Sequence, residues 1–273
     1  MKRLIKSILT LVADTFFTLR GLRFPDYIQP RHRIDLLFFG NEQDVARLMK
    51  RRLKPQMCVL DVGANVGLIT LICAGKVGKD GRVVAFEPDP HTREFLQHNV
   101  KSFANVTVSA VALSDENSKA KFHLHPQSGT SNSLVAIEGA KEIVEVECMT
   151  MDSFLAANPT LSPNCIKIDV EGAELKVLAG MRQTLERFPG LLVVIEFCPD
   201  NLKNGGQTSI DYYSLLEELD FGVEIIEKNG KTTPVSCLTD LLAKLGDKIY
   251  CNLLCQRKST SQHRGLISSN RFK

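Results

Sequence analysis

Residues 59–70 read VLDVGANVGLIT: an apolar run closed by Asp61, a turn built on Gly63 and Gly67, and a second apolar run. From residue 57 to 62 the chain is apolar and partly β-branched, the composition of a strand buried on both faces of a parallel sheet. Gly63 and Gly67 let the backbone turn sharply, and the N–H groups opening the next helix are placed to receive a carboxylate. The stretch reads as the first strand, loop and helix of an α/β domain that binds its ligand at the strand's end.

The loop also narrows the ligand. A dinucleotide fingerprint, G-x-G-x-x-G, uses a middle glycine to bring backbone to the pyrophosphate, and Asn65 stands in that place. S-adenosylmethionine carries no phosphate; its ammonium suits Asp61 and its carboxylate the helix start. Taken alone, D-x-G-x-x-x-G is also an ordinary strand-to-helix turn, so the neighbouring stretches carry the decision.

RVVAFEP (82–88) is a second buried strand closed by Glu87, about 20 residues beyond Gly67, where such folds place an acid that receives ribose hydroxyls. An acid capping the next helix is the compatible alternative. NVTVSAVALSD (105–115) alternates as a third strand, with Ala112 and Leu113 at its mouth. A polar excursion over 115–139, carrying His123, His125 and Asn132, is long for a connection and suggests a substrate wall. IVEVECMTMDSF (143–154) alternates as an edge strand. In CIKIDVEGAELKVLAGM (165–181), Ile166 and Ile168 are strand residues, Asp169 closes the strand, and Glu171 with Gly172 turns into a helix. LLVVIEFCP (191–199) is a fifth buried strand closed by Glu196. Acids thus arrive at the carboxyl ends of several strands, where open α/β sheets bind ligands.

The 273 residues, 44% hydrophobic, suffice for one large core with extensions, and a net charge of +3 selects no partner. No aromatic-and-basic stripe points to nucleic acid. The eight cysteines form no CxxC pair and read as buried thiols of a reducing, cytoplasmic compartment; Cys251 and Cys255, on one face of a strand, leave a disulfide or zinc site as the minor alternative. Residues 1–19 carry Lys2, Arg3 and Lys6 ahead of a helical stripe broken by Asp14, expected as a retained helix packed on the domain or lying on a membrane surface. Asn41 is placed to cap a helix that Pro55 ends. The organisation expected is a helical extension over 1–54, a catalytic domain over 55–256 and a polar, fraying tail over 257–273.

In this order and spacing, VLDVGANVGLIT, VVAFEPDP, AVALSD, TMDSFL, IKIDVEGAELKVLAG and VIEF resemble the FkbM family of S-adenosylmethionine-dependent methyltransferases, over about residues 59–255. The resemblance implies a Rossmann-like class I methyltransferase fold, a seven-stranded mostly parallel sheet with helices on both faces. It implies O-methylation of a hydroxyl on a sugar, glycan or other hydroxylated metabolite. It places Asp61, Gly63, Ala64, Asn65 and Gly67 around the methionine moiety, Glu87 with Pro88 at the ribose, and Ala112 with Leu113 at the adenine. Asp169, between cofactor and acceptor, and Glu171 and Glu196 would face the acceptor as catalytic acids. Methyl transfer is an in-line displacement in which a base removes the hydroxyl proton. Asp169 and Glu171 suit that role, His123 and His125 are alternatives, and a divalent ion held by clustered acids is another. A nicotinamide oxidoreductase and a non-catalytic binding module that keeps this fold are the rival readings.

Overall fold

The computed structural model describes residues 15, 22–24, 42–124, 132–136, 140 and 142–258. The expected helix over 1–19, the cap Asn41, His125 and the tail past 258 lie outside them. The chain opens with α1 (Gln43–Arg52), β1 (Cys58–Val62), α2 (Leu68–Val77), β2 (Arg82–Phe86), α3 (Pro90–Val100) and β3 (Val106–Ser109). Next come β4 (Ala112–Leu113), β5 (Ser118–Leu124), β6 (Glu142–Met149), α4 (Met151–Ala157), β7 (Cys165–Ile168), α5 (Glu174–Ala179) and α6 (Arg182–Arg187). The last part is β8 (Leu192–Phe197), α7 (Pro199–Asn204), α8 (Ser209–Glu218), β9 (Phe221–Ile226), β10 (Thr232–Val235), α9 (Leu238–Leu245) and β11 (Cys251–Arg257).

The main sheet has eight strands in the order β10-β9-β11-β8-β7-β1-β2-β3. From β3 to β8 every pairing is parallel, whereas β11 runs antiparallel to both β8 and β9. β9 therefore points the same way as β8, and its end joins the carboxyl edge at which β1, β7 and β8 finish. This is the Rossmann-like, mostly parallel arrangement expected, with one strand more than seven. The addition is β10, which folds back antiparallel on β9 as the outer edge strand. Its Pro234 is tolerated because an edge strand need not donate on its outer side.

The expectations for the third strand and the edge strand need correction. β3 stops at Ser109, and Ala112–Leu113 leaves the main sheet to pair in parallel with β6. β6 is not an edge strand but the middle of a separate three-stranded sheet, β4-β6-β5. Its alternation arises because one face packs on Ala112, Phe122 and Leu124 while the other meets solvent.

Side-chain alternation along the central strands decides the site. Leu60, Val62, Ile166 and Ile168 project into the core cluster that holds Phe86 and Tyr212. Val59 and Cys165 belong to the opposite cluster, with Ile69 and Cys73 of α2. Asp61 and Lys167 share that second parity and are direct partners in the β1–β7 register, so an acid and a lysine meet where two apolar strands are otherwise fully packed. All eight cysteines are free thiols, seven of them buried, so Cys251 and Cys255 form no bridge.

Candidate active site

The glycine loop is closed on itself. The N–H groups of Gly63 and Ala64 donate to Phe86 O (3.1 and 2.9 Å), and that of Gly67 donates to Ala64 O (2.9 Å). Asn65 N–H donates to Glu87 Oε2 (2.9 Å), and Val66 N–H to Asn65 Oδ1 (2.7 Å). These five N–H groups of the loop are therefore satisfied within the protein; the N–H groups that open the helix, from Leu68 onward, are not among them. Gly63 is required by packing: a Cβ there would lie 1.8 Å from the carbonyl oxygen of Asp169, at a φ of +77°. At Gly67, with φ +92°, a Cβ would lie 2.6 Å from Leu96 Cδ1.

Glu87 is the brace of this loop. Its Oε2 holds Asn65 and its Oε1 accepts from Asp89 N–H at 3.0 Å, leaving each oxygen a further lone pair. Burial pushes its carboxyl up to about 7. Pro88, partly exposed, has its carbonyl fixed by Arg93 Nη1 at 2.8 Å. Ala112 and Leu113 are 5% and 2% exposed and pack into the small-sheet cluster and the main core respectively, so an adenine beside them would meet mainly their backbone edge.

Asp61 is wholly buried; its Oδ2 accepts from the Thr70 hydroxyl at 2.6 Å and its Oδ1 has no hydrogen-bond partner. Lys167 accounts for that charge. Its Nζ lies 3.9 Å from Asp61 Oδ1, 3.8 Å from Glu42 Oε1 and 3.1 Å from Asp169 Oδ2, and donates to Gly63 O at 3.1 Å. Burial pulls the ammonium's pKa down, but Asp169, Asp61 and Glu42 outweigh it and hold it above the ordinary lysine value. Burial, only partly offset by Lys167, pushes Asp61 up, and it pushes Glu42 up to about 7. Asp61 thus reaches the pocket through Lys167 and Thr70, and in this geometry its carboxylate does not face an incoming ammonium.

The acceptor side is built on the turn after β7. Asp169 N–H donates to Val62 O (3.1 Å), tying this turn to the glycine loop. Glu171 and Gly172 both have left-handed backbones, φ +54° and +99°. The Glu174 carboxylate stabilises that unusual pair by accepting from Val170 N–H (3.0 Å) and Gly172 N–H (3.0 and 3.2 Å). Asn201 Nδ2 donates to Glu171 Oε2 at 2.7 Å. Burial, then the nearby Asp169 and Glu174, pushes Glu171 up to about 8; burial, then Asp169 and Glu171, holds Glu196 well above the carboxylate range. The described end of the excursion is anchored on both turns. Ser133 Oγ donates to Glu171 O at 2.8 Å, and Asn132 Nδ2 to Asp89 Oδ2 at 3.0 Å, so residues 132–133 bridge the cofactor-side and acceptor-side turns. His123 is partly buried on β5, its backbone paired with Ser133, and its Nδ1 has no partner.

Asp169, Glu174 and Glu196 offer carboxylate oxygens that all lie within 4.8 Å of one another. With the Glu174 oxygens committed to the turn's N–H groups and Asp169 paired with Lys167, Glu196 alone of the three is uncommitted, a thin ligand set for a hard divalent cation. The donor chemistry fits S-adenosylmethionine better than a dinucleotide. Asp169 offers a partly exposed carboxylate to a cationic ligand, Glu87 keeps lone pairs for hydroxyls, and Lys167, the cation between these acids, is already committed.

Sequence reasoning located the strand-end acids but missed Lys167, Glu42, Glu174 and Asn201. A lysine inside the apolar run CIKI was the available signal, since an unpaired ammonium is not buried there.

The methyltransferase FkbM domain family matches residues 61–223. The chain is 30% identical over 189 residues to the hexuronic acid methyltransferase AglP of Haloferax volcanii, covering 69% of this chain and 73% of that protein. It is 25% identical over 180 residues to methyltransferase 1 of Beauveria bassiana, covering 58% and 72%. The 2-O-methyltransferase NoeI of Sinorhizobium fredii is 25% identical over 154 residues, 49% of this chain and 61% of that protein.

Proposed function

We propose, from the premise that this chain belongs to the FkbM methyltransferase family, that it methylates a hydroxyl oxygen of a sugar or glycan. The observation that carries the reading is the set of partly buried acids on the turn after β7 and at the end of β8, joined by Lys167 to a glycine loop whose N–H groups from Gly63 to Gly67 are satisfied within the protein. The relatives named as acting on a hexuronic acid and as a 2-O-methyltransferase support a saccharide acceptor.

S-adenosylmethionine supplies an electrophilic methyl group on a sulfonium. The chain's own part is to bind, orient and deprotonate. Glu87 orients the ribose from its place beside Asn65, and the loop from Gly63 to Gly67 lies against the methionine moiety. Asp169, ion-paired to Lys167 at 3.1 Å, accepts a hydrogen bond from a neighbouring hydroxyl of the acceptor and so orients the sugar. Glu171, held by Asn201 and pushed up to about 8, takes the hydroxyl proton as the new bond forms. Glu196, which keeps its proton well above the ordinary carboxylate range, lines the same pocket beside Asp169, and the bridge at residues 132–133 excludes water.

The test is a methyl-transfer screen over saccharides with mass spectrometry of the products. A product gaining one methyl on oxygen, absent with Asp169→Asn, is expected. Transfer to nitrogen or carbon only, or transfer untouched by chelation-free Asp169→Asn and Glu171→Gln, sinks the reading.

A further inference from the structure

Beyond the acid pocket, at the same edge of the sheet, lies a cleft of about 560 Å³ lined by Arg47, Lys228, Lys231, Lys248, Glu227 and Thr233. Three separate parts of the chain build it. α1 contributes Arg47, the turn between β9 and β10 contributes Glu227 to Lys231, and the segment leading into β11 contributes Lys248. β9 ends at the carboxyl edge and β11 begins there, so the cleft opens on the side where Asp169 and Glu196 lie.

The two sites are physically joined. Asn252, the register partner of Glu196, donates from Nδ2 to Asp44 Oδ2 at 3.0 Å. Within the next turn of α1, Arg47 Nη1 donates to Lys228 O at 2.6 Å. Gly230, at φ +72°, is packed so tightly that a Cβ there would lie 2.7 Å from Arg47 Cβ, which fixes the turn against the helix.

The cleft carries an excess of positive charge. Arg47, Lys228, Lys231 and Lys248 outnumber its one acid, Glu227, whose Oε1 accepts from the Thr233 hydroxyl at 3.2 Å, and the Nζ groups of Lys228, Lys231 and Lys248 have no ion-pair partner among the described residues. Four like charges around one concavity repel, and an oxyanion relieves them; the Arg47 guanidinium can hold it through two N–H groups while the lysines act as point charges. We propose that this cleft binds an oxyanion, phosphate or carboxylate, carried by the acceptor about 14 Å from the methylated hydroxyl, the distance of three strand spacings from β7 to β9. The acceptor is then an acidic saccharide. This rests on the saccharide O-methyltransferase reading and deepens it. A flat anionic membrane is the less suitable occupant, since the charges line a hollow, although Ile249 beside Lys248 is 71% exposed.

The experiment compares the full chain with its Lys231→Gln/Lys248→Gln variant. Calorimetry at low salt with glucose 1-phosphate, glucuronate and glucose reads the cleft without any transfer. Wild type is expected to bind a charged probe about tenfold or more tighter than glucose, with the advantage lost in the variant and weakened by salt. Which charged probe wins distinguishes phosphate from carboxylate. In transfer assays the KM for acidic acceptors rises about tenfold in the variant, while S-adenosylmethionine affinity stays unchanged. Equal binding of charged probes by both proteins overturns the proposal, as does pelleting with phosphatidylglycerol vesicles that needs these lysines while glucose 1-phosphate binding does not. Lysine-dependent probe binding without any effect on transfer overturns the acceptor role. Intact probe binding with no transfer to any saccharide overturns the saccharide reading alone.

Discussion

Lys167→Met isolates the contribution of one buried charge. The ammonium it removes faces Asp61 at 3.9 Å, Glu42 at 3.8 Å and Asp169 at 3.1 Å, and it fixes Gly63 O. At an effective dielectric constant of about 20, each such pair is worth about 4 kcal/mol before desolvation is counted. Breaking a buried pair from one side costs about 3–5 kcal/mol, because the partner is left charged in apolar surroundings. Asp61, with no exposed side-chain surface, bears most of that cost; Glu42 and Asp169, 33% and 21% exposed, recover part of theirs from water. A net loss of about 3 kcal/mol corresponds to a fall in Tm of about 6–12 °C for a domain of this size. The pH dependence has a definite sign. The folded lysine's pKa lies above its free value, so its contribution is fully present below about pH 10, the ordinary lysine range. The variant's penalty instead follows the acids, which are raised by burial, Glu42 to about 7, and which protonate on acidification. The gap between variant and wild type is therefore large at pH 8 and shrinks towards pH 5. Thermal unfolding across that range, with Lys167→Arg as a charge-retaining control, measures it. Equal Tm values at pH 8, or a gap that widens on acidification, refute the assignment.

Three further outcomes are expected. Glu87→Gln weakens S-adenosylmethionine binding by roughly 1–3 kcal/mol, because a charged acceptor of the Asn65 and Asp89 N–H groups becomes half donor; calorimetry with unchanged affinity contradicts this. The wild-type kcat rises with pH through an apparent midpoint near 8, a property of the acid group as a whole, and Glu171→Gln lowers turnover about 10²-fold and abolishes the rise; a flat profile from pH 6 to about 9 counts against Glu171 as the proton acceptor. Gly63→Ala places a methyl 1.8 Å from the Asp169 carbonyl oxygen and destabilises the fold by more than about 3 kcal/mol in urea unfolding, and a variant of normal stability would show that the two turns separate easily.

The parts of this architecture that were legible are those written locally. Apolar strands closed by an acid and followed by a glycine turn announce themselves within about ten residues, which is why β1, β2, β7 and β8 were readable. β10 was not, although Asn229-Gly230 is a hairpin signal, because Pro234 speaks against a strand unless its place at the edge is known. The departure of Ala112–Leu113 from the main sheet depends on a partner, Cys148 and Met149, more than thirty residues later. Lys167 was hidden for a related reason: its meaning comes from Asp61, Glu42 and Asp169, which the fold, not the sequence order, brings around it. The Glu174 carboxylate looked like one more helix-start acid, and only its contacts with Val170 and Gly172 reveal a brace for a left-handed turn.

The missing Cβ of Gly63 bears on how this enzyme could be re-engineered. Because the glycine loop rests directly on the Asp169 carbonyl, and Asp169 N–H returns to Val62 O, the turn that meets the acceptor and the loop that meets the cofactor form one mechanical joint. Changes at residues 169–172 meant to admit a new acceptor are transmitted to cofactor affinity, and the two traits cannot be varied independently there. Ser133 and Asn132 are tied into that joint through Glu171 O and Asp89 Oδ2, whereas the β9–β10 turn lies at the same edge of the sheet outside it. Diversification of acceptor range belongs at the β9–β10 turn, where loss of the methyl donor is not the automatic companion of a new substrate.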